Sequence, residues 1–327
     1  MCGGSACLRE AFTDANESSQ YSYIFPGQGS QAVGMGLELY QSSAAAKAVF
    51  QEADDSLDTS LSQLIFHGPA DVLQDTVNSQ PAIMTVSIAC WRAWQEARGA
   101  DTTVPMAVAG HSLGEYTSLV VSGVLDFSDG VKLVRERGRL MQQASQWRPG
   151  SMAAILGLDE FTLEQVCAET GVELANINTE DQIVISGDKR AVARAMDLSL
   201  ARGAKKAIPL QVSGAFHSSL MYQAQQGLQE AISGLQLRDA QIPIIANSTG
   251  CPIHTADQVR EELIRGLCQC VRWKASVEYM VGAGVSHFVE FGPGRVLSSL
   301  IKRIDRGVQA VTISDPEGIK KLAQGPA

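Results

Sequence analysis

The sequence has no excess of basic residues and no long hydrophobic run. Lysine and arginine number 26 against 35 aspartate and glutamate residues, which gives a net charge of −9 and an isoelectric point near 5.1. A nucleic-acid-binding protein normally carries a basic face, so we expect no nucleic-acid partner. No apolar run approaches the roughly 18 residues that a membrane-spanning helix needs, so we expect no membrane association either.

The seven cysteines lack the spacing of a zinc site. Their number is odd, and Cys268 and Cys270 form only an isolated C-x-C. This pattern is typical of reduced thiols in a cytosolic protein. Residues 1–20 are polar and lack the apolar segment of a secretory signal, so they are predicted to be a disordered tail. The sequence therefore predicts a cytoplasmic protein without a bound metal.

The most informative stretch runs from residue 104 to residue 123. A short apolar strand leads into G-H-S-L-G at 110–114, and an apolar run at helical spacing follows. This is the G-x-S-x-G pattern of a nucleophile elbow, in which glycines permit a sharp turn that exposes the serine oxygen. Ser112 is therefore a candidate nucleophile, and the alternative is an ordinary turn serine.

A nucleophilic serine needs a general base, which is usually histidine. His217 lies in S-G-A-F-H-S at 213–218, where a strand has ended at a predicted domain boundary, and it follows Ser112 in the chain. His67, His254 and His287 are predicted to be structural or exposed, and His111 projects elsewhere from the turn. No acidic residue stands out as the third member of a triad.

A glycine-rich loop, P-G-Q-G-S-Q at 26–31, follows the predicted strand 21–25. Its backbone N–H groups could bind an anion, or the loop could simply be a tight turn. It does not end in Lys-Ser/Thr, so it is not a nucleotide-binding P-loop.

An arginine lies on the apolar face of a predicted helix at 129–145. At 100° per residue, Arg137 points with Leu133, Leu140 and Met141 rather than with the polar side chains. A buried guanidinium needs an anion, because it cannot lose its proton. The partner could be an internal acid or a substrate carboxylate.

The order of elements predicts a discontinuous large domain with an insertion. Residues 149–211 follow the order β-α-β-β-α-β, which is typical of a ferredoxin-like domain. The large domain would comprise 21–148 and 212–315, with helices at 37–56, 58–66, 82–96 (starting at Pro81) and 256–268, and a strand at 242–247. The predicted fold class is α/β, with an α/β-hydrolase-like large domain and an inserted ferredoxin-like small domain.

Together these motifs resemble the malonyl-CoA:acyl carrier protein transacylases and the related acyltransferase domains of polyketide synthases. The resemblance covers residues 21–305 and rests on these blocks: F-P-G-Q-G-S-Q at 25–31, Q-P-A-I at 80–83, G-H-S-L-G-E-Y at 110–116, R-G-R-L-M at 137–141, G-S-M-A-A-I-L-G at 150–157, G-A-F-H-S at 214–218 and F-G-P-G-R-V-L at 291–297. It implies a monomeric enzyme with malonyl-CoA as substrate, a phosphopantetheinylated acyl carrier protein as partner and no cofactor.

The resemblance also implies roles for particular residues. Ser112 would be the acylated nucleophile and His217 its base, with the backbone N–H groups of Gln28 and Leu113 as the oxyanion hole. The implied substrate-binding residues are Arg137, which would pair with the malonyl carboxylate, Phe216 and His111. A main-chain carbonyl would orient the histidine; it falls on Gly266, where relatives commonly have glutamine. The alternatives are a stand-alone acyltransferase of a polyketide synthase and a serine thioesterase or esterase.

Overall fold

The computed structural model describes residues 20–99 and 104–323. Except for Gln20, the predicted disordered tail at 1–20 lies outside this range. The strands are β1 Tyr21–Phe25, β2 Ala107–Gly110, β3 Gly150–Leu156, β4 Glu173–Thr179, β5 Gln182–Asp188, β6 Lys206–Pro209, β7 Ile244–Ile245, β8 Pro252–Ile253, β9 His287–Phe291 and β10 Gln309–Ile313. The helices are α1 Leu37–Ser42, α2 Ala44–Leu57, α3 Leu61–His67, α4 Ala70–Gln74, α5 Thr76–Arg98, α6 Leu113–Val121, α7 Phe127–Trp147, α8 Glu160–Thr170, α9 Lys189–Ala201, α10 Tyr222–Ser233, α11 Ala256–Gly266, α12 Trp273–Gly282, α13 Val296–Ile304 and α14 Pro316–Ala323.

Within these residues the larger sheet has the strand order β10-β9-β1-β2-β7-β8, and its neighbours are parallel except for the β7–β8 pair at the edge. Side chains alternate between the two faces of β1: Tyr23 and Phe25 pack in the core with α5 and α6, and Ile24 packs in a second core with α12 and α13. Phe25 lies opposite Gly110 in the register of β1 and β2. The loops that leave these two strands, which carry Gln28 and Ser112, are therefore neighbours at the carboxyl edge of the sheet.

A second sheet is formed by the chain between α7 and residue 209. In the described chain its strand order is β4-β5-β3-β6 with antiparallel pairing, and its elements follow the predicted β-α-β-β-α-β sequence. It has a separate core, in which Ile155 and Ile185 of the sheet pack against Leu163 of α8 and Val192 of α9. The side chain of Val271 packs in the second core of the larger sheet, and its backbone bonds to the smaller sheet. Its carbonyl accepts from the N–H of Ile177 and its N–H donates to the carbonyl of Ala175, both on β4.

Several element boundaries differ from those predicted. Helix α5 begins at Thr76, so Pro81 lies inside it rather than in its first turn. The predicted strand at 242–247 is reduced to the two residues of β7, and the predicted helix at 37–56 is divided between α1 and α2. Helices α4, α12 and α14 and strands β8 and β10 were not predicted. The two strands form by pairing at the edges of the large sheet, and the helices by packing, as Ile319 of α14 does in the main core.

The described chain contains no helix that is long and apolar enough to cross a membrane. Cys90, Cys167, Cys268 and Cys270 are free thiols, as expected.

Candidate active site

Ser112 occupies a strained turn between β2 and α6. Its backbone has φ 52° and ψ −102°, outside the regions that a serine ordinarily adopts. The flanking glycines make the turn possible. A Cβ on Gly110 would lie 1.9 Å from the carbonyl carbon of Gly114, and a Cβ on Gly114 would lie 2.0 Å from the carbonyl oxygen of Phe25. The predicted elbow is therefore present, and helix α6 packs closely against β1.

The Oγ of Ser112 lies 2.8 Å from Nε2 of His217. The other ring nitrogen, Nδ1, lies 3.0 Å from the carbonyl oxygens of both Gly266 and Gln269, so it carries the proton and donates it to them. Nε2 is then free to accept the proton of the serine. Burial, followed by the charges of Arg137 and His111, lowers the pKa of His217 from 6.5 to about 3. The imidazole is therefore neutral near pH 7, as a general base must be.

Two carbonyls orient the imidazole, where the resemblance implied Gly266 alone. Gly266 is the last residue of α11, and Gln269 lies between α11 and Val271, which is bonded to β4 of the smaller sheet. The space that a side chain at Gly266 would enter is bordered by the carboxyl groups of Glu262 and Glu115. Glycine at position 266 therefore still allows the backbone carbonyl to contact Nδ1 of His217.

The glycine-rich loop after β1 lies directly against the elbow. A Cβ on Gly27 would be 2.4 Å from the carbonyl oxygen of His111, so only glycine permits this approach. Gln28 then lines the same cavity as Ser112. Leu113 is the first residue of α6, and the N–H groups of a first helical turn have no acceptor within the helix. The N–H of Ser112 donates instead to Oδ1 of Asn247 over 2.7 Å.

Arg137 is 3% exposed and makes no ion pair within the residues described. Its Nη1 donates to Oε1 of Gln80 over 2.7 Å, and its Nη2 donates to Oγ of Ser112 over 3.1 Å. Its Nε is buried without a hydrogen-bond partner, and its guanidinium carbon lies 5.1 Å from the ring centre of Tyr116. Of the two alternatives for Arg137, the internal salt bridge is thus not found, and the cation is held beside the nucleophile.

A cavity of about 640 Å³ opens above Ser112 and His217, a size typical of small-molecule sites. Gln28, His111 and Phe216 also line it. His111 has a second contact that the sequence did not indicate, because its Nε2 lies 2.9 Å from Oδ1 of Asn178 on β4. Burial lowers the pKa of His111, so this ring adds no charge to the cavity near neutral pH.

The residues that sequence reasoning missed all act through other residues. Gln80 holds Arg137, Asn178 holds His111 and Gln269 supplies the second carbonyl. Asn247 bridges the elbow, because it accepts from the N–H of Ser112 and donates to the carbonyl of Gly110. One signal was available: Asn247 ends the predicted strand at 242–247, and the carboxyl ends of parallel strands meet at one edge.

A pair of buried carboxyl groups lies behind the elbow. Oε1 of Glu115 accepts from the backbone N–H and the side-chain amide of Asn247, and Glu262 accepts from the backbone and hydroxyl of Ser248. Burial and the neighbouring charge of Glu262 raise the pKa of Glu115 well above 4.5. Burial therefore favours the protonated form of this carboxyl group, and its side-chain contact with Glu262 acts in the same direction.

We expect the Glu115→Gln variant to be more stable than the wild type at alkaline pH. A raised pKa in the folded state gives stability that is complete below pH 4.5 and is lost as pH rises toward the folded pKa. Glutamine keeps the acceptor for Asn247 and has nothing to ionise. Thermal unfolding of both proteins between pH 4 and pH 9 would show a widening gap, with a shift of roughly 2–4 °C for each kcal/mol gained. A difference in melting temperature that does not change with pH would contradict the raised pKa of Glu115.

The elbow, the serine–histidine pair and the enclosed cation form a site suited to nucleophilic catalysis by a serine. Comparisons with known proteins identify its family. A family model described as "Acyl transferase domain" matches residues 22–314. The malonyl CoA-acyl carrier protein transacylase of Bacillus subtilis is 45% identical over 94% of this chain and 97% of its own. The Escherichia coli K12 enzyme of that name is 40% identical over 92% of this chain and 98% of its own.

Solved structures agree with the family model. The acyl-carrier-protein-S-malonyltransferase of Bartonella henselae superposes with a TM-score of 0.90 at 39% identity, over 93% of this chain and 98% of its own. A malonyl-transacylase solved in complex with a type II PKS acyl-carrier protein gives 0.91 at 38% identity, over 94% of this chain and 100% of its own. The chain belongs to the acyl transferase family, and the resemblance drawn from its motifs is confirmed.

Proposed function

We propose that this protein transfers the malonyl group from malonyl-CoA to the phosphopantetheine thiol of an acyl carrier protein, and so supplies units for fatty acid synthesis. One observation carries the proposal: a neutral His217 and an unpaired guanidinium of Arg137 both contact Oγ of Ser112, at 2.8 Å and 3.1 Å. The first group activates the serine, and the second provides a place for a free carboxylate beside the resulting ester. The relatives in Bacillus subtilis and Escherichia coli, both named malonyl CoA-acyl carrier protein transacylase, support the same substrates.

In the first half-reaction, Nε2 of His217 takes the hydroxyl proton of Ser112 while Oγ attacks the thioester carbonyl of malonyl-CoA. The backbone N–H groups of Leu113 and Gln28 would donate to the oxyanion, each contributing about 3 kcal/mol. The carbon–sulfur bond then breaks, and the imidazolium returns its proton to the departing coenzyme A thiolate. The two carbonyls at Nδ1 stabilise the positive ring during this step.

In the second half-reaction, the carrier thiol gives its proton to His217 and attacks the malonyl ester. Collapse of this intermediate releases Ser112, which regains its proton from the imidazolium. Every step uses groups of this chain and of the two substrates, so the proposal calls for no cofactor. The position of Phe216 on the cavity wall supports its role beside the α-carbon of the acyl group.

Arg137 would select substrates by the carboxylate. A malonyl group ends in an anion that can pair bidentately with the guanidinium. An acetyl group would leave the buried cation unpaired, which costs several kcal/mol. His111, fixed by Asn178, would close the opposite side of the cavity.

The architecture that we propose is an α/β-hydrolase-like large domain at 21–148 and 212–315 with a ferredoxin-like domain at 149–211. The parallel sheet with its elbow and the separate antiparallel sheet and core support this division. A stand-alone acyltransferase of a polyketide synthase remains the second candidate, and the solved complex with a type II PKS acyl-carrier protein favours it.

The test is coenzyme A release from malonyl-CoA in the absence of a carrier. We expect a burst of one coenzyme A per protein, followed by turnover only when a phosphopantetheinylated acyl carrier protein is added. Ser112→Ala should abolish the burst. Steady release without a carrier would mean a thioesterase and would contradict the proposal. Carrier proteins of fatty acid and polyketide synthesis, supplied separately, distinguish the two pathways by kcat/KM.

We expect acylation to resist acid unusually well for a histidine-dependent enzyme. With the pKa of His217 at about 3, the base stays neutral at pH 5, whereas a pKa of 6.5 would lower the rate about 25-fold between pH 7 and pH 5. The malonyl carboxylate also stays ionised at pH 5. Single-turnover acylation should therefore change by less than about threefold over this range, with circular dichroism as the control for folding. A midpoint near 6.5 would contradict the buried neutral base.

A further inference from the structure

The guanidinium of Arg137 has a neutral partner at the place where a buried arginine usually has an acid. Nη1 donates to Oε1 of Gln80 on α5 over 2.7 Å, and Gln80 is 0% exposed. An amide oxygen accepts a hydrogen bond as a carboxylate does, but it adds no negative charge. The contact therefore fixes the position of the cation without neutralising it.

Gln80 is itself held in one orientation. Its Nε2 donates to Sδ of Met141 over 3.3 Å, one turn beyond Arg137 on α7. The amide oxygen is thereby directed to the guanidinium. The two helices also approach closely, because a Cβ on Gly138 would lie 2.5 Å from the carbonyl oxygen of Thr76. This close packing places the short amide of α5 within reach of the arginine.

Burial moves the pKa values of the titratable groups beside Arg137 toward their uncharged forms. Burial and the charge of Glu262 raise the pKa of Glu115 well above its ordinary value. Burial raises the pKa of Tyr116 to about 12, so this phenol is neutral, and burial lowers that of His217 to about 3. Within the described residues, the cation beside Ser112 therefore has no ion-pair partner.

We propose that Gln80 is a specificity-determining positioning residue: a neutral acceptor that holds Arg137 against Ser112 and leaves its charge for the free carboxylate of the acyl group. The inference rests on the proposed function and explains how the enzyme keeps a buried cation ready for an anionic substrate. It predicts that a negative charge at residue 80 removes the preference for malonyl over acetyl groups, and that loss of the neutral acceptor weakens it.

The test is Gln80→Glu, which changes one amide into a carboxylate of the same shape. The new anion should pair with Arg137, so kcat/KM for malonyl-CoA should fall about 100-fold while that for acetyl-CoA changes by less than about threefold. Gln143→Glu, on the same helix as Arg137 but bonded to Arg139, is the matched control and should keep the wild-type ratio. Equal losses for both substrates in Gln80→Glu would overturn the proposal.

A second variant, Gln80→Leu, tests the positioning by another route. The cation keeps its charge but loses its acceptor, so the KM for malonyl-CoA should rise about tenfold while kcat for acetyl-CoA stays within about twofold. Unchanged parameters would overturn the proposal even if Gln80→Glu does not fold. Wild-type protein that forms no malonyl-serine would instead contradict the proposed function itself, so the two failures are distinguishable.

Discussion

Replacing Arg137 with alanine is expected to reduce malonyl transfer by about 100- to 1,000-fold while acetyl transfer falls by less than about tenfold. The malonyl carboxylate would lose its bidentate partner and remain buried without a counter-ion, whereas the acetyl group carries no charge to stabilise. The measurement is kcat/KM for malonyl-CoA and acetyl-CoA with the same carrier protein. Its outcome is the ratio of the two values, which corrects for any general loss of active protein.

Arg139→Ala is the matched control for this variant. Arg139 lies on the same helix but is exposed and pairs with Glu136, so its removal should leave the ratio unchanged. Equal losses for both substrates in Arg137→Ala would show that the arginine is structural. A preserved preference for malonyl would show that another group binds the carboxylate.

Replacing Gly114 with alanine is expected to destabilise the protein by more than about 3 kcal/mol and to abolish acylation. The new methyl group would lie 2.0 Å from the carbonyl oxygen of Phe25 and 2.7 Å from its carbonyl carbon. Both are backbone atoms of Phe25, which is fully buried in β1, so no side-chain rotation relieves the clash. Helix α6 would have to move away from β1, and Ser112 and the loop of Gln28 would separate.

Thermal unfolding and burst amplitude together measure this effect. Gly282→Ala, at the last residue of α12, is the control, because a Cβ there meets nothing within 4 Å. It should keep the melting temperature and the burst of the wild type. A Gly114→Ala protein with wild-type stability would mean that the elbow is not packed against β1 as the structure shows.

Burial holds the titratable groups beside Arg137 toward their uncharged forms. Residues that could carry charge nearby, Glu115 and His217, have pKa values moved toward their uncharged forms by burial. The substrate carboxylate is then the first anion that the guanidinium meets. Since uncompensated buried charge is costly, this arrangement costs stability in the free enzyme and stabilises the complex with substrate.

The local features of the site were predictable because each depends on a short stretch of sequence. The elbow at Ser112 needs only a strand, two glycines and a helix, and the β-α-β-β-α-β order of the small sheet follows from alternating periodicities. The burial of Arg137 was also predictable, since this residue interrupts the apolar face of α7. Whether Arg137 pairs with an internal acid or with a substrate could not be predicted, because that depends on which residues of other elements lie nearby.

The contacts that the sequence did not predict join residues far apart in the chain. Gln80 and Arg137 are 57 residues apart, and Ser112 and Asn247 are 135 apart. Polar residues on buried elements carry no periodic signal of their partners. The start of α5 was missed for a related reason: Pro81 weakens an isolated helix, but close packing of α5 on α7 stabilises the helix through it.

The account depends on a malonyl ester at Ser112, and intact-protein mass spectrometry after exposure to malonyl-CoA tests it most directly. The predicted result is one malonyl group per chain, located on Ser112 by peptide mapping, absent from Ser112→Ala and removed by a phosphopantetheinylated carrier protein. Acylation of another residue, or no covalent adduct in a protein that still transfers malonyl groups, would contradict it.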